Sequence, residues 1–175
     1  MHKEATMDEK YNDSIEHTEI SQEEDDTLSN RYLTFNIGDE VYGFEILYVT
    51  EIIGMQKITK VPNIADFIKG IINLRGIIYP VVSVRKRFGI EEIPYTEKTC
   101  IILVKVRNMG VGLIVDNVAE VLRIEPVNVF PPPQTYKGSK SKYISSIAKI
   151  DKDVKILLDL EKLLFDETNA LSENN

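Results

Sequence analysis

The chain repeats itself. Leu33, Phe35, Ile37, Gly43, Phe44, Ile46, Val49, Glu51 and Ile52 recur 69 residues later as Ile102, Val104, Val106, Gly112, Leu113, Val115, Val118, Glu120 and Val121. Val61-Pro62 becomes Phe130-Pro131 at the same spacing, and beyond it the offset is 76. That second spacing pairs Phe67-Ile68 with Tyr143-Ile144, Ile71 with Ile147, Val82 with Leu158, Val84 with Leu160, and Phe88 with Leu164. The second copy has therefore gained seven residues, and they fall among Pro131-Pro132-Pro133-Gln134-Thr135-Tyr136-Lys137-Gly138, where Pro and Gly mark a loop. A unit of about 60 residues is marginal alone, so two copies are expected to share apolar surface rather than hang as beads on a linker.

Each copy reads as short strands. Apolar residues alternate at Leu33, Phe35 and Ile37, and Gly38-Asp39 is a turn signal before a second strand near Val41 to Phe44. Five such strands close with a short helix, Val84 to Phe88 in the first copy and Leu160 to Phe165 in the second. Five antiparallel strands with tight turns suggest closure into a small barrel, which removes exposed edges. A single sandwich would bury the same alternating faces and remains the competing arrangement. The expected class is mainly β: two pseudo-symmetric five-stranded barrels, residues 31–90 and 98–168, with short helices.

The net charge of −7 belongs to one end. Residues 1–30 hold ten carboxylates against Lys3 and Lys10, a balance of −8, which leaves +1 for the rest. We expect this acidic segment, and residues 169–175, to lack fixed structure. A nearly neutral remainder argues against a surface that tracks phosphates. No apolar run approaches the roughly 20 residues of a membrane span, and the polar amino terminus does not suit a secretory signal, so the expectation is a cytoplasmic protein with no direct membrane insertion.

Residues that could do chemistry are scarce. Both histidines, His2 and His17, lie in the acidic segment, so a Ser-His or Cys-His pair is excluded elsewhere, and an imidazole metal site nearly so. Cys100, the single cysteine, sits in an apolar run and reads as an inert core thiol. Gly110-Val111-Gly112 is followed by Val115 where a dinucleotide fingerprint needs glycine or alanine. Asp116 and Asp159 each end an apolar strand, where turn and capping roles are common. We expect no catalytic residue, cofactor or metal. Arg85-Lys86-Arg87 with Lys137, Lys140 and Lys142 gives the alternative function, a small-barrel nucleic-acid binder. A solvated helix face explains the arginine-lysine cluster better, and the tyrosines form no stacking platform, so no nucleic-acid partner is expected.

The run Phe67-Ile68-Lys69-Gly70-Ile71-Ile72-Asn73-Leu74-Arg75-Gly76-Ile77-Ile78-Tyr79-Pro80-Val81-Val82 resembles the best-marked segment of the bacterial chemotaxis coupling (CheW) family. Asp39-Glu40-Val41-Tyr42-Gly43-Phe44, Val49-Thr50-Glu51-Ile52, Val111-Gly112-Leu113-Ile114-Val115-Asp116 and Ile156-Leu157-Leu158-Asp159-Leu160 look like that family in order and spacing. The resemblance implies two SH3-like barrels and a non-catalytic adaptor. It would couple the cytoplasmic tips of methyl-accepting chemoreceptors to the regulatory domain of the histidine kinase CheA, in membrane-associated arrays. By the same resemblance the receptor groove between the barrels involves Val49, Glu51, Gly70, Arg75, Cys100, Ile101, Gly112 and Val121. Phe130, Gln134 and Thr135 in the insertion correspond to a ring contact with the kinase domain.

Several of these residues have a purely structural reading as well. Gly70 and Gly112 could serve backbone conformation or close packing, Val121 the core, and Phe130 a buried loop staple. Arg75 has an internal control: offset 76 places Asp151 at its counterpart in a similar turn, so the turn itself does not require arginine. A fixed guanidinium there suits partner contact or groove organisation. Glu51 is repeated by Glu120 and could serve the barrel itself.

Overall fold

A computed structural model describes residues 27–166. The readings of the acidic residues 1–26 and of residues 169–175 fall outside that range. Eleven strands run in chain order as β1 Arg31–Ile37, β2 Glu40–Glu45, β3 Val49–Gly54, β4 Ile68–Leu74, β5 Ile77–Ser83, β6 Cys100–Val106, β7 Met109–Val115, β8 Asn117–Arg123, β9 Val129–Phe130, β10 Ile144–Ile150 and β11 Asp153–Leu158. Helix α1, Val84–Arg87, follows β5, and helix α2, Leu160–Phe165, follows β11.

The strands form two sheets, ordered β8-β1-β2-β11-β10-β9 and β3-β6-β7-β5-β4. In the first, β8 and β9 are consecutive in the chain and occupy opposite edges, so the sheet curls on itself. In the second, Thr59, just beyond edge strand β3, bridges to Ile71 on the opposite edge strand β4. Both are small barrels, closed by the chain that leaves one edge strand and returns to the other.

The barrels do not coincide with the repeats. Hairpin β1–β2 of the first copy pairs with β8 and β11 of the second, while hairpin β6–β7 of the second pairs with β3 and β5 of the first. The exchange is symmetric down to register. Leu33 opposite Val121 and Phe35 opposite Val118 become Ile102 opposite Ile52 and Val104 opposite Val49 under the 69-residue offset, each with one bulge between. The parallel pairs Leu157–Gly43 and Val81–Gly112 correspond in the same way. Each copy lends two strands and receives two, and this gives copies too small to stand alone a shared structure.

The largest core lies between the sheets. Phe35, Tyr42, Phe44, Ile156 and Leu158 from one sheet meet Val82, Ile102, Val104, Leu113 and Val115 from the other, sealed by Val84, Phe88, Leu160 and Leu163 of the helices and their ends. Each barrel also has its own interior: Ile72, Val81, Ile101, Leu103 and Ile114 in the five-stranded one, and Ile124, Ala148 and Leu157 in the other. Ser83 and Asp159, a pair at offset 76, cap α1 and α2 by accepting from Lys86 N and Lys162 N.

The cluster Arg85-Lys86-Arg87 is not the solvated face expected of it. Arg85 forks onto Asp116, with Nε to Oδ1 at 2.8 Å and Nη2 to Oδ2 at 2.6 Å, and Lys86 reaches Asp66 at 2.9 Å. Arg87 is buried, 4% exposed, and donates to the carbonyls of Leu163 at 2.6 Å and Asp166 at 2.7 Å. Its guanidinium lies 4.0 Å from the ring of Phe67 and 5.0 Å from that of Tyr143, themselves a repeat pair. The short helix turns its last arginine inward, where the guanidinium supplies donors to two carbonyls at the end of the second copy.

Candidate functional site

Glu51 stands on β3, one edge of the five-stranded barrel, and Arg75 in the β4–β5 turn at its other edge. The turn is tight: Arg75 has φ 51° and Gly76 φ 84°, and the Gly76 N–H donates to Asn73 Oδ1 at 2.9 Å. Two outward positions on a hairpin tip leave the arginine side chain free to cross the barrel mouth. Arg75 Nη1 donates to Glu51 Oε1 at 3.3 Å and Nη2 to Oε2, and this pairing raises the guanidinium pKa. The pair faces solvent, with side chains 68% and 37% exposed. Asp151 shares the left-handed backbone, φ 54°, but the residue at the repeat position of Glu51 is Glu120, a second carboxylate, so the second barrel has no arginine to form such a fork.

Gly70 and Gly112 are explained by packing. Gly70 has φ 142°, and a Cβ there would lie 2.1 Å from the carbonyl oxygen of Thr59, at the bridge that closes the barrel. A Cβ on Gly112 would lie 2.8 Å from Ile101 Cγ2. Ile101 is itself fully buried in the barrel interior, so a docked partner cannot touch it without opening the sheet. Val49 is half-buried against the inter-sheet core, beside the bulge where Thr50 Oγ1 donates to Leu103 O at 3.1 Å.

Cys100 is half-buried at the start of β6. Burial pushes its thiol pKa up, with the backbone N–H of Val118 opposing. That contact carries information about shape, because Val118 lies on β8 of the other barrel: the edges β3–β6 and β8 approach one another here. Val121, on β8, is 48% exposed rather than core. Its repeat partner Ile52, next to Glu51, is 45% exposed and was not singled out in the sequence. The repeat itself held the signal, since an exposed apolar residue on one bulged edge strand implies one on the other. The surface thus presents Glu51, Arg75, Ile52 and Val121, with Val49 and Cys100 half-covered between barrels.

In the insertion, Phe130 is 48% exposed on the two-residue edge strand β9, and Gln134 and Thr135 are exposed beyond it. The loop staple is Tyr136, packed against the inter-sheet core. Lys140 donates to Glu40 and to Tyr42 Oη at 2.9 Å, and Ser139 Oγ to Phe88 O at 2.7 Å, so the insertion of the second copy is fastened to the first. Phe130 is left outward. Among the described residues no group of His, Cys, Asp or Glu could hold a metal ion, and no helix is long and apolar enough to cross a membrane.

Exchanged twin barrels with bulged apolar edge strands define a double-barrel β fold. The sequence profile of the CheW-like domain matches residues 31–168, and the chain belongs to that family. Chemotaxis protein CheW of Klebsiella aerogenes is 35% identical over 155 residues, 89% of this chain and 93% of that protein. Chemotaxis protein CheW of Thermotoga maritima is 35% identical over 133 residues, 75% of this chain and 85% of that protein. The crystal structure of scaffolding protein TtCheW from Thermoanaerobacter tengcongensis superposes with a TM-score of 0.71 at 37% identity, covering 77% of this chain and 91% of that one.

Proposed function

We propose that the protein is a chemotaxis adaptor, a non-catalytic scaffold that couples chemoreceptor cytoplasmic tips to the regulatory domain of the histidine kinase CheA. The observation that carries this reading is the similarity over nearly the whole described fold to proteins named for chemotaxis and scaffolding. It works in the cytoplasm, at arrays of membrane-bound receptors. The receptor's helical hairpin docks between the barrel edges, where Ile52 and Val121 offer apolar contact and the Arg75–Glu51 fork offers charge. Val49, Cys100, Ile101, Gly70 and Gly112 shape that surface from beneath. Phe130, Gln134 and Thr135 face the kinase domain at the far edge.

Such interfaces work while individually weak. Contacts of about 1,000 to 1,600 Å² can be micromolar, roughly −8 kcal/mol, and many receptors and kinases held at one membrane raise the effective concentration of each. Signal passes if the receptor's two states make different contacts with the groove. A pull-down with purified kinase regulatory domain and a receptor cytoplasmic fragment tests the assignment. Ternary recovery supports it; recovery of neither partner refutes it. Arg85, Lys86 and Lys140 are paired with carboxylates and Arg87 is buried, which weighs against the alternative nucleic-acid reading of the basic cluster.

A further inference from the structure

The two barrels fill one equivalent position differently. Thr34 on β1 and Leu103 on β6 correspond at the 69-residue offset, and both are buried, 0% and 1% exposed. Each lies beside an equivalent glycine. A Cβ on Gly43 would be 3.3 Å from Thr34 Cγ2 and 3.5 Å from Leu157 Cδ2, and one on Gly112 would be 3.6 Å from Leu103 Cδ2 and 3.4 Å from Val81 Cγ2. Leu157 and Val81 belong to the interiors of the two barrels, so the second barrel has a hydroxyl where the first has a leucine. A buried hydroxyl costs free energy unless it is hydrogen-bonded.

Thr34 Oγ1 uses both its capacities on one residue across the ladder, donating to the Glu120 carbonyl at 2.8 Å and accepting from the Glu120 N–H at 3.2 Å. Glu120 sits in the bulge of β8: Leu33 is opposite Val121 and Phe35 opposite Val118, so Ala119 and Glu120 together face Thr34 alone. A bulge re-aims the side chains around it and interrupts the ladder bonds of its backbone. The first barrel holds its matching bulge by other means. There Thr50, on the bulged strand itself, donates to Leu103 O at 3.1 Å, and Arg75 holds the Glu51 carboxylate from outside. The second copy has Ala119 in place of Thr50 and Asp151 in place of Arg75, so it has neither device. Thr34 grips its bulge from within.

We propose that Thr34 is a positioning residue for the β8 docking edge: its hydroxyl fixes the backbone of Glu120, and with it the outward aim of Glu120 and Val121. The effect on docking rests on the adaptor reading; the hold on the bulge does not.

Thr34→Val and Thr34→Ser in the full chain separate this role from packing. Valine keeps the shape and loses both hydrogen bonds, and Leu103 shows that an apolar side chain is accommodated at this place; serine keeps the hydroxyl and loses a buried methyl. In Thr34→Val the Glu120 amide is expected to exchange with solvent at least about tenfold faster than in the parent. The same variant should bind a receptor cytoplasmic fragment at least about fivefold more weakly by titration calorimetry. Thr34→Ser unfolds at a lower temperature than the parent yet should match it in both measurements. Parent-like exchange in Thr34→Val overturns the proposal, as does equal weakening of binding in the two variants, which would make Thr34 a packing residue alone. Faster exchange with unchanged binding overturns its role in docking. If the parent itself does not bind the fragment, the adaptor reading fails, and the exchange rates still decide whether Thr34 holds the bulge.

Discussion

Arg75 grips Glu51 across the mouth of the five-stranded barrel, joining the turn at one edge to the strand at the other. Because both side chains face solvent and the Thr59–Ile71 bridge closes the barrel independently, the fork orders the surface more than it holds the fold. Arg75→Glu is therefore expected to weaken binding of a receptor cytoplasmic fragment by at least about tenfold, with a melting temperature within a few degrees of the parent. The charge swap Glu51→Arg/Arg75→Glu restores the fork with reversed polarity and should not restore binding. Titration calorimetry with thermal unfolding on the same samples separates the outcomes; full binding by the swapped protein would show that the fork acts only within the barrel.

Substituting the two glycines tests folding, not docking. Gly70→Ala forces a Cβ to within 2.1 Å of a backbone oxygen at a positive φ, and backbone cannot step aside. A loss of about 2 to 4 kcal/mol is expected in urea unfolding. Gly112→Ala meets a side-chain methyl of Ile101 at 2.8 Å, which can shift, so about 1 to 3 kcal/mol is expected. Val49→Asp would press a carboxylate against the inter-sheet core and belongs with these. Ile52→Asp, on an exposed position, is the cleaner probe of the same edge.

How much of this was legible follows from what a repeat can encode. Two constant offsets carry over to matched registers, so Leu33–Val121 and Ile102–Ile52 are one pairing written twice. The offsets are silent on which copy supplies the partner, because an exchanged hairpin and a retained one present the same alternation. That is why barrels and repeats part company at β1–β2 and β6–β7. The site was legible where chemistry was unusual for its place, as with arginine in a turn. It was not legible where burial decides: Ile101 and Val121 are both aliphatic strand residues, yet one is sealed and the other is 48% exposed.

Arg87 fastens α2 and the residue that follows it to the first copy. With Arg87→Ala the carbonyls of Leu163 and Asp166 lose their donors, and the rings of Phe67 and Tyr143 lose the group between them. A destabilisation of about 2 to 4 kcal/mol is expected, with faster amide exchange throughout α2. Arg87→Lys keeps the charge but cannot fork to two carbonyls, so it should recover less than half. Unchanged exchange in α2 would mean that Leu160 and Leu163 anchor the helix unaided.

Acid stability should depend on Asp116. Burial alone would raise its pKa, but hydrogen bonds from Arg85 and from the Gly38 N–H, with the nearby guanidinium charge, outweigh burial and hold the carboxyl below its ordinary value. A group whose folded-state pKa is depressed binds fewer protons folded than unfolded, so its contribution is complete above the unfolded value and fades as pH falls through the folded one. The loss therefore belongs below about pH 4, the ordinary range for aspartate. Glu40, lowered against the effect of its own burial by Lys140 and Tyr42, adds to the same window. Asp116→Asn should be less stable than the parent at neutral pH and nearly equal to it at the acid end. Urea midpoints across that range measure the convergence; a constant gap at every pH would mean that Asp116 contributes through shape alone.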